Sequence, residues 1–210
     1  MSDSFAAILA AGDFPTHPEV CRMLRRGAIL VCCDGASQKA FAKGFRPNVI
    51  LGDLDSIDAS ARECGAQVVR IEEQETNDLA KAFRYVLERN IRRVCVFGAT
   101  GGREDHTLGN LGQFADFAPR FDKAVLYTDT GRFLHLSEGD SLSVETVSEQ
   151  PVSLVPLVSG TRIQGQGLSW SLNGQRLDRW RKSTLNRATG ENISVRVESG
   201  EALLYLAFTD

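Results

Sequence analysis

The chain is poor in the side chains and patterns that mark several common chemistries. It has three histidines, His17, His106 and His135, and none stands in metal-pair spacing with another. Its five cysteines (Cys21, Cys32, Cys33, Cys64 and Cys95) include no C-x-x-C. An odd set without that spacing argues against a disulfide framework or a thiolate zinc site and for reduced thiols acting as small buried hydrophobes. Cys32 and Cys33 adjoin in a strand-like run, so their side chains are expected on opposite faces. The P-loop pattern G-x-x-x-x-G-K-S/T is absent, which excludes an ordinary P-loop enzyme. The uncharged stretch "QPVSLVPLVSGT" is too short and proline-broken to span a bilayer, and the start, "MSDSFAAILAAG", carries no basic residue before its apolar run. The 24 Lys and Arg residues are dispersed, with a net charge of -3 and a pI near 5.7, and leave no electrostatic footprint for a nucleic-acid backbone. A soluble, cytoplasmic protein with a small-molecule partner is expected. No internal repeat or low-complexity tract is present.

What the chain does have is 210 residues of which 42% are hydrophobic, enough for a core in one large or two small domains. Up to about residue 128, the strand-like runs "FAAILAA", "AILVCC", "NVIL", "QVVRI", "RVCVFG" and "AVLYT" alternate with segments of helical periodicity, the pattern of an α/β domain with a mainly parallel sheet. In "NDLAKAFRYVLERN", Leu79, Ala82, Phe83, Val86 and Leu87 follow the i, i+3, i+4, i+7, i+8 rule, which predicts a helix starting between Thr76 and Asp78. Beyond residue 130, short runs such as "RFLHLS", "SLSVETV", "VSLVPLV", "ISVRVE" and "ALLYLAF" separated by Gly, Asn and Pro predict antiparallel β structure. The expected domains are 1–130 and 131–210.

Ligands of open α/β sheets bind beyond the carboxyl ends of the strands, so the polar residues after each run belong together. The second run ends in "DGAS" (Asp34), the third in "GDLDS" (Asp53, Asp55), the fourth leads to "EEQETND" (Asp78), and the fifth ends in "GATGGREDH" (Arg103, Asp105). Taken singly each has a structural explanation: Asp34 as a turn residue, Asp78 as a helix-start acid opposing the macrodipole, Gly101 and Gly102 as a tight bend. Taken together, three carboxylates at one sheet edge repel one another unless a cation neutralises them. Oxygen ligands and scarce histidine favour Mg²⁺ over Zn²⁺, and Mg²⁺ commonly combines one or two carboxylates with substrate phosphates. "GATGGR" then suits a phosphate cradle, with Arg103 adding a fork of donors.

The segments "DGA", "PNVILGDLDSI", "QETNDLAKA" and "GATGGREDHTLGN", in this order and spacing, resemble the motif series of thiamine pyrophosphokinases, and "GLSW" followed by "STLN" resembles that family's C-terminal substrate signature. The resemblance spans nearly the whole chain. It implies a Rossmann-like nucleotide domain followed by a β-sandwich, a homodimer with active sites between subunits, and Mg²⁺-dependent transfer of a pyrophosphoryl group from ATP to the thiamine hydroxyl. Carried over by position, Asp53, Asp55 and Asp78 are the metal and catalytic carboxylates. Asp34, Gln74, Asn77, Gly101, Gly102, Arg103 and Asp105 fall where nucleotide and phosphate contacts are expected. Trp170, Ser183, Thr184 and Asn186 fall where thiamine is expected, with Trp180 a rival aromatic platform for the cationic ring. Leu185 and Asn77 depart from the family, which often has Ser and Thr at these places.

Three other readings compete. A pterin-type pyrophosphokinase on a related fold is opposed by Trp170 and the β-rich tail. A haloacid-dehalogenase-like phosphatase is opposed by Gly52, which separates the strand from Asp53, and by the two strand-like runs before it. A non-catalytic sensor of nucleotide or thiamine diphosphate is opposed by the presence of all three acids.

Overall fold

The computed structural model describes residues 4–53, 65–71, 73 and 75–209. Its contacts divide the chain into two compact units, Met1–Asp129 and Thr130–Asp210.

The apolar runs AAIL, ILVCC, VILG and RVCVF of the first unit become strands buried on both faces, the environment of a parallel sheet covered by helices, whereas the edge run QVVR stays largely exposed. The elements in chain order are β1 (Ala6–Leu9), α1 (Pro18–Arg25), β2 (Ile29–Cys33), α2 (Ala36–Ala42), β3 (Val49–Gly52), β4 (Gln67–Arg70), α3 (Asp78–Glu88), β5 (Arg93–Phe97), α4 (Glu104–Phe117) and β6 (Lys123–Thr128). Within this unit the strand order is β6-β5-β1-β2-β3-β4, and each neighbouring pair is parallel, with Ala6 opposite both Ile29 and Val94. The chain therefore builds outward from β1 to β4, then returns to the other side of β1 for β5. That reversal between β1 and β5 is the topological switch point where such sheets open a crevice.

Helix α3 begins where its periodicity predicts. Asn77 is the N-cap, its side chain accepting from Ala80 N at 3.0 Å, and Leu79, Ala82, Phe83 and Val86 face inward. Phe83 is fully buried and stacks on Phe117 of α4, centroids 5.0 Å apart, so truncating it to Ala would cost roughly 3–5 kcal/mol. Cys32, Cys33 and Cys95 are buried and unpaired by disulfide, and burial pushes the Cys95 thiol up to about 12. Cys64 lies outside the described residues.

In the second unit the burial pattern of SLSVE, PVSLVP, RIQGQ and NISVRVES changes to alternation, the mark of sheets with one wet face, while the central ALLYLA is mostly buried. Strands β7 (Gly131–Leu136), β9 (Pro151–Pro156), β11 (Asn186–Arg187) and β13 (Ala202–Ala207) form one antiparallel sheet in the order β11-β9-β13-β7. Strands β8 (Ser141–Glu145), β10 (Arg162–Gln166) and β12 (Asn192–Ser199) form the other, in the order β10-β12-β8. Leu136, Val152, Leu154 and Leu204 of the first share one core with Ile163, Ile193, Val195 and Val197 of the second, which makes the unit an antiparallel β-sandwich. Strand β10 has no apolar run of its own: only Ile163 is large, and the buried Gly165 sits against Leu168. Among the described residues no helix is long and apolar enough to cross a membrane.

Candidate active site

A cavity of about 500 Å³ opens at the carboxyl ends of the parallel strands, with Ala10 and Ala11 after β1, Cys33 at the end of β2, Asp53 after β3, Asn77, Asp78 and Lys81 at the start of α3, and His106 and Asn110 of α4 in its wall. Two of the three expected carboxylates, Asp53 and Asp78, thus reach one cavity from different elements. Asp55 and Gln74 lie outside the described residues.

The backbone that delivers Asp53 depends on a close approach. Gly52 has φ +155°, and a Cβ there would stand 2.7 Å from the Cβ of Asp34. Asp34 is itself buried; its N–H donates to Leu51 O at 2.9 Å, and its own carbonyl accepts from the N–H and hydroxyl of Ser37. The turns after β2 and β3 are therefore locked side by side.

Asp78 is the first residue of α3, where a carboxylate is favoured by the helix dipole. Its Oδ1 accepts from Lys81 Nζ at 3.1 Å, and Lys81 is only 4% exposed. Asn77 also donates to Asn110 Oδ1 at 3.2 Å, and Asn110 donates to Ala99 O at 2.8 Å. This amide chain ties the start of α3 to the loop that follows β5.

That loop carries Gly101 and Gly102, with φ of +83° and +69°. It packs on the loop after β1: Ala10 N donates to Phe97 O at 2.8 Å, Gly12 N to Gly98 O at 2.8 Å, and Asp13 N to Thr100 O at 2.9 Å. Lys39 of α2 braces the same loop, donating to Ala11 O at 2.9 Å and Gly12 O at 2.6 Å. A side chain at Gly101 would collide with Asp13, whereas one at Gly102 would meet open space.

Arg103 and Asp105 flank the N-terminus of α4 and pair with each other. Arg103 Nε donates to Oδ1 at 3.1 Å, its Nη2 donates to Oδ2 at 2.6 Å, and both side chains are well exposed. The paired guanidinium holds the Asp105 carboxyl below its ordinary range, and Asp105 raises Arg103 in turn. The geometry presents Arg103 as part of a neutral pair that a phosphate would have to reorganise.

Among the described residues no three of His, Cys, Asp and Glu gather as a metal cluster. The donor set nevertheless suits Mg²⁺: two carboxylates in one roomy cavity match an ion that keeps waters and takes its remaining ligands from phosphate oxygens.

In the sandwich unit the residues expected at thiamine collect around β9 and β11. Asn186 is buried, and its side-chain amide clamps the backbone of Trp170 in both directions: Oδ1 accepts from Trp170 N at 3.1 Å, and Nδ2 donates to Trp170 O at 2.8 Å. Trp170 itself is 57% exposed. Trp180 is similarly exposed, but its indole N–H is spent on Pro156 O at 3.1 Å. Ser183 is buried with its hydroxyl unpartnered among the described residues, and Thr184 is half-buried with its N–H on Trp180 O. Leu185, between them and Asn186, is 84% exposed at φ +62°.

Sequence reasoning missed the loop after β1, Lys39, Lys81 and Asn110. The first of these carried a signal: "AAGD" follows the first strand-like run just as the acidic turns follow the later ones. Lys81 carried none, because a lysine within "LAKAF" reads the same whether its face is wet or dry.

Residues 20–126 match the family model described as the catalytic domain of thiamin pyrophosphokinase. Thiamine pyrophosphokinase 3 of Oryza sativa subsp. japonica is 26% identical over 215 residues, covering 88% of this chain and 80% of the relative. Thiamine pyrophosphokinase of Bacillus subtilis is 29% identical over 109 residues, covering 50% of this chain and 51% of the relative. Among solved structures, the Bacillus subtilis enzyme superposes with a TM-score of 0.79 at 20% identity, covering 99% of this chain and all of that one. Yeast thiamin pyrophosphokinase superposes with a TM-score of 0.80 at 17% identity, covering all of this chain and 88% of that one. At these identities the structural likeness speaks for the fold.

Proposed function

This chain belongs to the thiamine pyrophosphokinase family and is an enzyme, and from that premise we propose that it transfers the terminal pyrophosphoryl group of ATP to the hydroxyl of thiamine, giving thiamine diphosphate and AMP. The carrying observation is the convergence of Asp53 and Asp78 on one cavity at the sheet's switch point, beside a loop of left-handed glycines. In this reaction the thiamine oxygen attacks the β-phosphorus, the bond from that phosphorus to the oxygen bridging to the α-phosphate breaks, and AMP leaves. The protein's tasks are alignment and charge neutralisation, which ask for positioned donors rather than a covalent group.

Asp53 and Asp78, with Asp55, would hold Mg²⁺, and Asp34, Gln74, Asn77, Gly101, Gly102, Arg103 and Asp105 would contact the nucleotide or its phosphates. When bound, Mg²⁺ supplies positive charge to the phosphate oxygens. One of the carboxylates would accept the hydroxyl proton. In the sandwich unit the exposed face of Trp170 is the platform for the cationic ring, and Asn186 acts on thiamine through the Trp170 backbone that it clamps. Trp180 is the weaker candidate, since its N–H is committed to Pro156. Ser183 and Thr184 supply hydroxyls nearby in sequence. The reading includes a cytoplasmic homodimer with active sites between subunits, which sedimentation equilibrium tests.

Incubation with ATP, Mg²⁺ and thiamine, followed by chromatography, decides the reaction. AMP appearing with thiamine diphosphate is the expected result. ADP would make the chain an ordinary kinase, and no product with thiamine, but turnover of a hydroxymethyl pterin, would move it to the related pyrophosphokinases. No product with either acceptor would favour the sensor.

A further inference from the structure

Lys81 is the only buried lysine or arginine among the described residues. It lies on α3 between the buried Ala80 and Ala82, where an aliphatic side chain would pack without the desolvation cost of an ammonium. An exposed lysine three residues after an aspartate would support the helix about as well. Its burial beside the cavity therefore points to what the charge does for Asp78.

The contact is with one oxygen. Lys81 Nζ donates to Asp78 Oδ1 at 3.1 Å, and Oδ2 accepts no hydrogen bond among the described residues. Both residues line the cavity with Asp53 and Cys33, and burial pushes the Cys33 thiol well up, so it adds no thiolate there. We propose that Lys81 is a positioning residue that makes Asp78 a one-oxygen ligand: the ammonium retains Oδ1 and leaves Oδ2 for a divalent cation. Such a device selects between cations. Mg²⁺ takes single oxygens in a compact octahedron, while Ca²⁺ accepts both oxygens of a carboxylate in a looser shell. With Oδ1 occupied, Asp78 cannot chelate through both oxygens, and Ca²⁺ loses more than Mg²⁺ does.

The proposal rests on the Mg²⁺ reading above, and the test separates the two. Titrate MgCl₂ and CaCl₂ alone into wild type, Lys81→Met and Lys81→Arg by calorimetry, with thermal unfolding to establish that each variant is folded. Losing a cation tightens both metals, so the ratio of affinities is the informative quantity. Lys81→Met is expected to raise the Ca²⁺ to Mg²⁺ affinity ratio by about fivefold or more, and Lys81→Arg to restore it at least in part. Lys81→Gln serves if the Met variant does not fold. A ratio unchanged within about twofold in a folded variant, or a wild type that binds neither metal alone, overturns the role of Lys81. Formation of thiamine diphosphate by the same wild-type preparation would leave the enzymatic reading standing in either case.

Discussion

Gly101→Ala and Gly102→Ala differ by one residue and separate two effects that the loop after β5 combines. Both glycines have left-handed φ, so an added Cβ costs each about 1–2 kcal/mol. The loss of unfolded-chain freedom returns about 0.4–1 kcal/mol. At Gly102, where the new methyl meets open space, the balance is a destabilisation of at most about 1.6 kcal/mol. At Gly101 the methyl also meets Asp13, and not only its mobile carboxylate: the Cβ of Asp13 is 2.8 Å away, so a rotamer change alone does not clear it. The backbone of residues 11–13 has to shift, against the bonds from Asp13 N to Thr100 O and from Gly12 N to Gly98 O. Overpacking of this kind adds about 1–3 kcal/mol. For a chain of this size each kcal/mol lowers Tm by roughly 2–4 °C. Thermal unfolding of both variants, with KM for ATP measured alongside, checks the reasoning: Gly101→Ala should be the less stable and have the higher KM. Equal Tm losses would refute the Asp13 contact as the difference between the two positions.

Asp78→Ala should lower kcat on the order of 100-fold or more while the chain stays folded, since it removes a charge-bearing group of the cavity; near-normal turnover sinks its role. Leu185→Asn should raise Tm by about 1–4 °C, because Asn tolerates the left-handed φ that costs Leu about 1 kcal/mol and the 84% exposed side chain buries little. An unchanged or lower Tm would count against strain at that position. Asp129 accepts from Thr16 N and His17 N ahead of α1; partial burial raises its carboxyl, but these hydrogen bonds and the Thr16 hydroxyl together hold it below its ordinary value. A depressed carboxyl stabilises the fold above its unfolded-state pKa and loses that contribution as pH falls through the folded one. The Tm gap between wild type and Asp129→Asn should therefore be widest near neutral pH and close on acidification below the ordinary carboxylate range. A gap constant with pH refutes the linkage.

The α/β character of the first unit and the β character of the second were legible because burial repeats at different periods in them. β1, as AAIL, is buried at every position, whereas β12 alternates, with Ile193, Val195 and Val197 inward. β10 escaped because a single isoleucine and a glycine make no period at all. The acidic turns were legible for a topological reason: parallel strands all end at the same edge, so residues placed alike after different strands are gathered without any long-range information.

What the sequence withholds is the side of the molecule on which a polar atom spends its hydrogen bonds. Asn186 and Trp170 stand in separate motifs, and nothing in either says that the amide of one holds the backbone of the other. Asn77 and Asn110 likewise lie 33 residues apart and meet only because α3 and α4 start at the same sheet edge. The Asn77 departure has a physical consequence in this light. An Asn at the cap accepts from Ala80 N through its oxygen and still has an NH₂ to give to Asn110, which in turn holds Ala99 O. A Thr could cap the helix with its oxygen, but its single proton and shorter reach would have to replace that NH₂. The amide thus couples the carboxylate-bearing helix start, which lines the cavity, to the glycine loop that follows β5, and a catalyst working by positioning gains from holding the two in fixed relation.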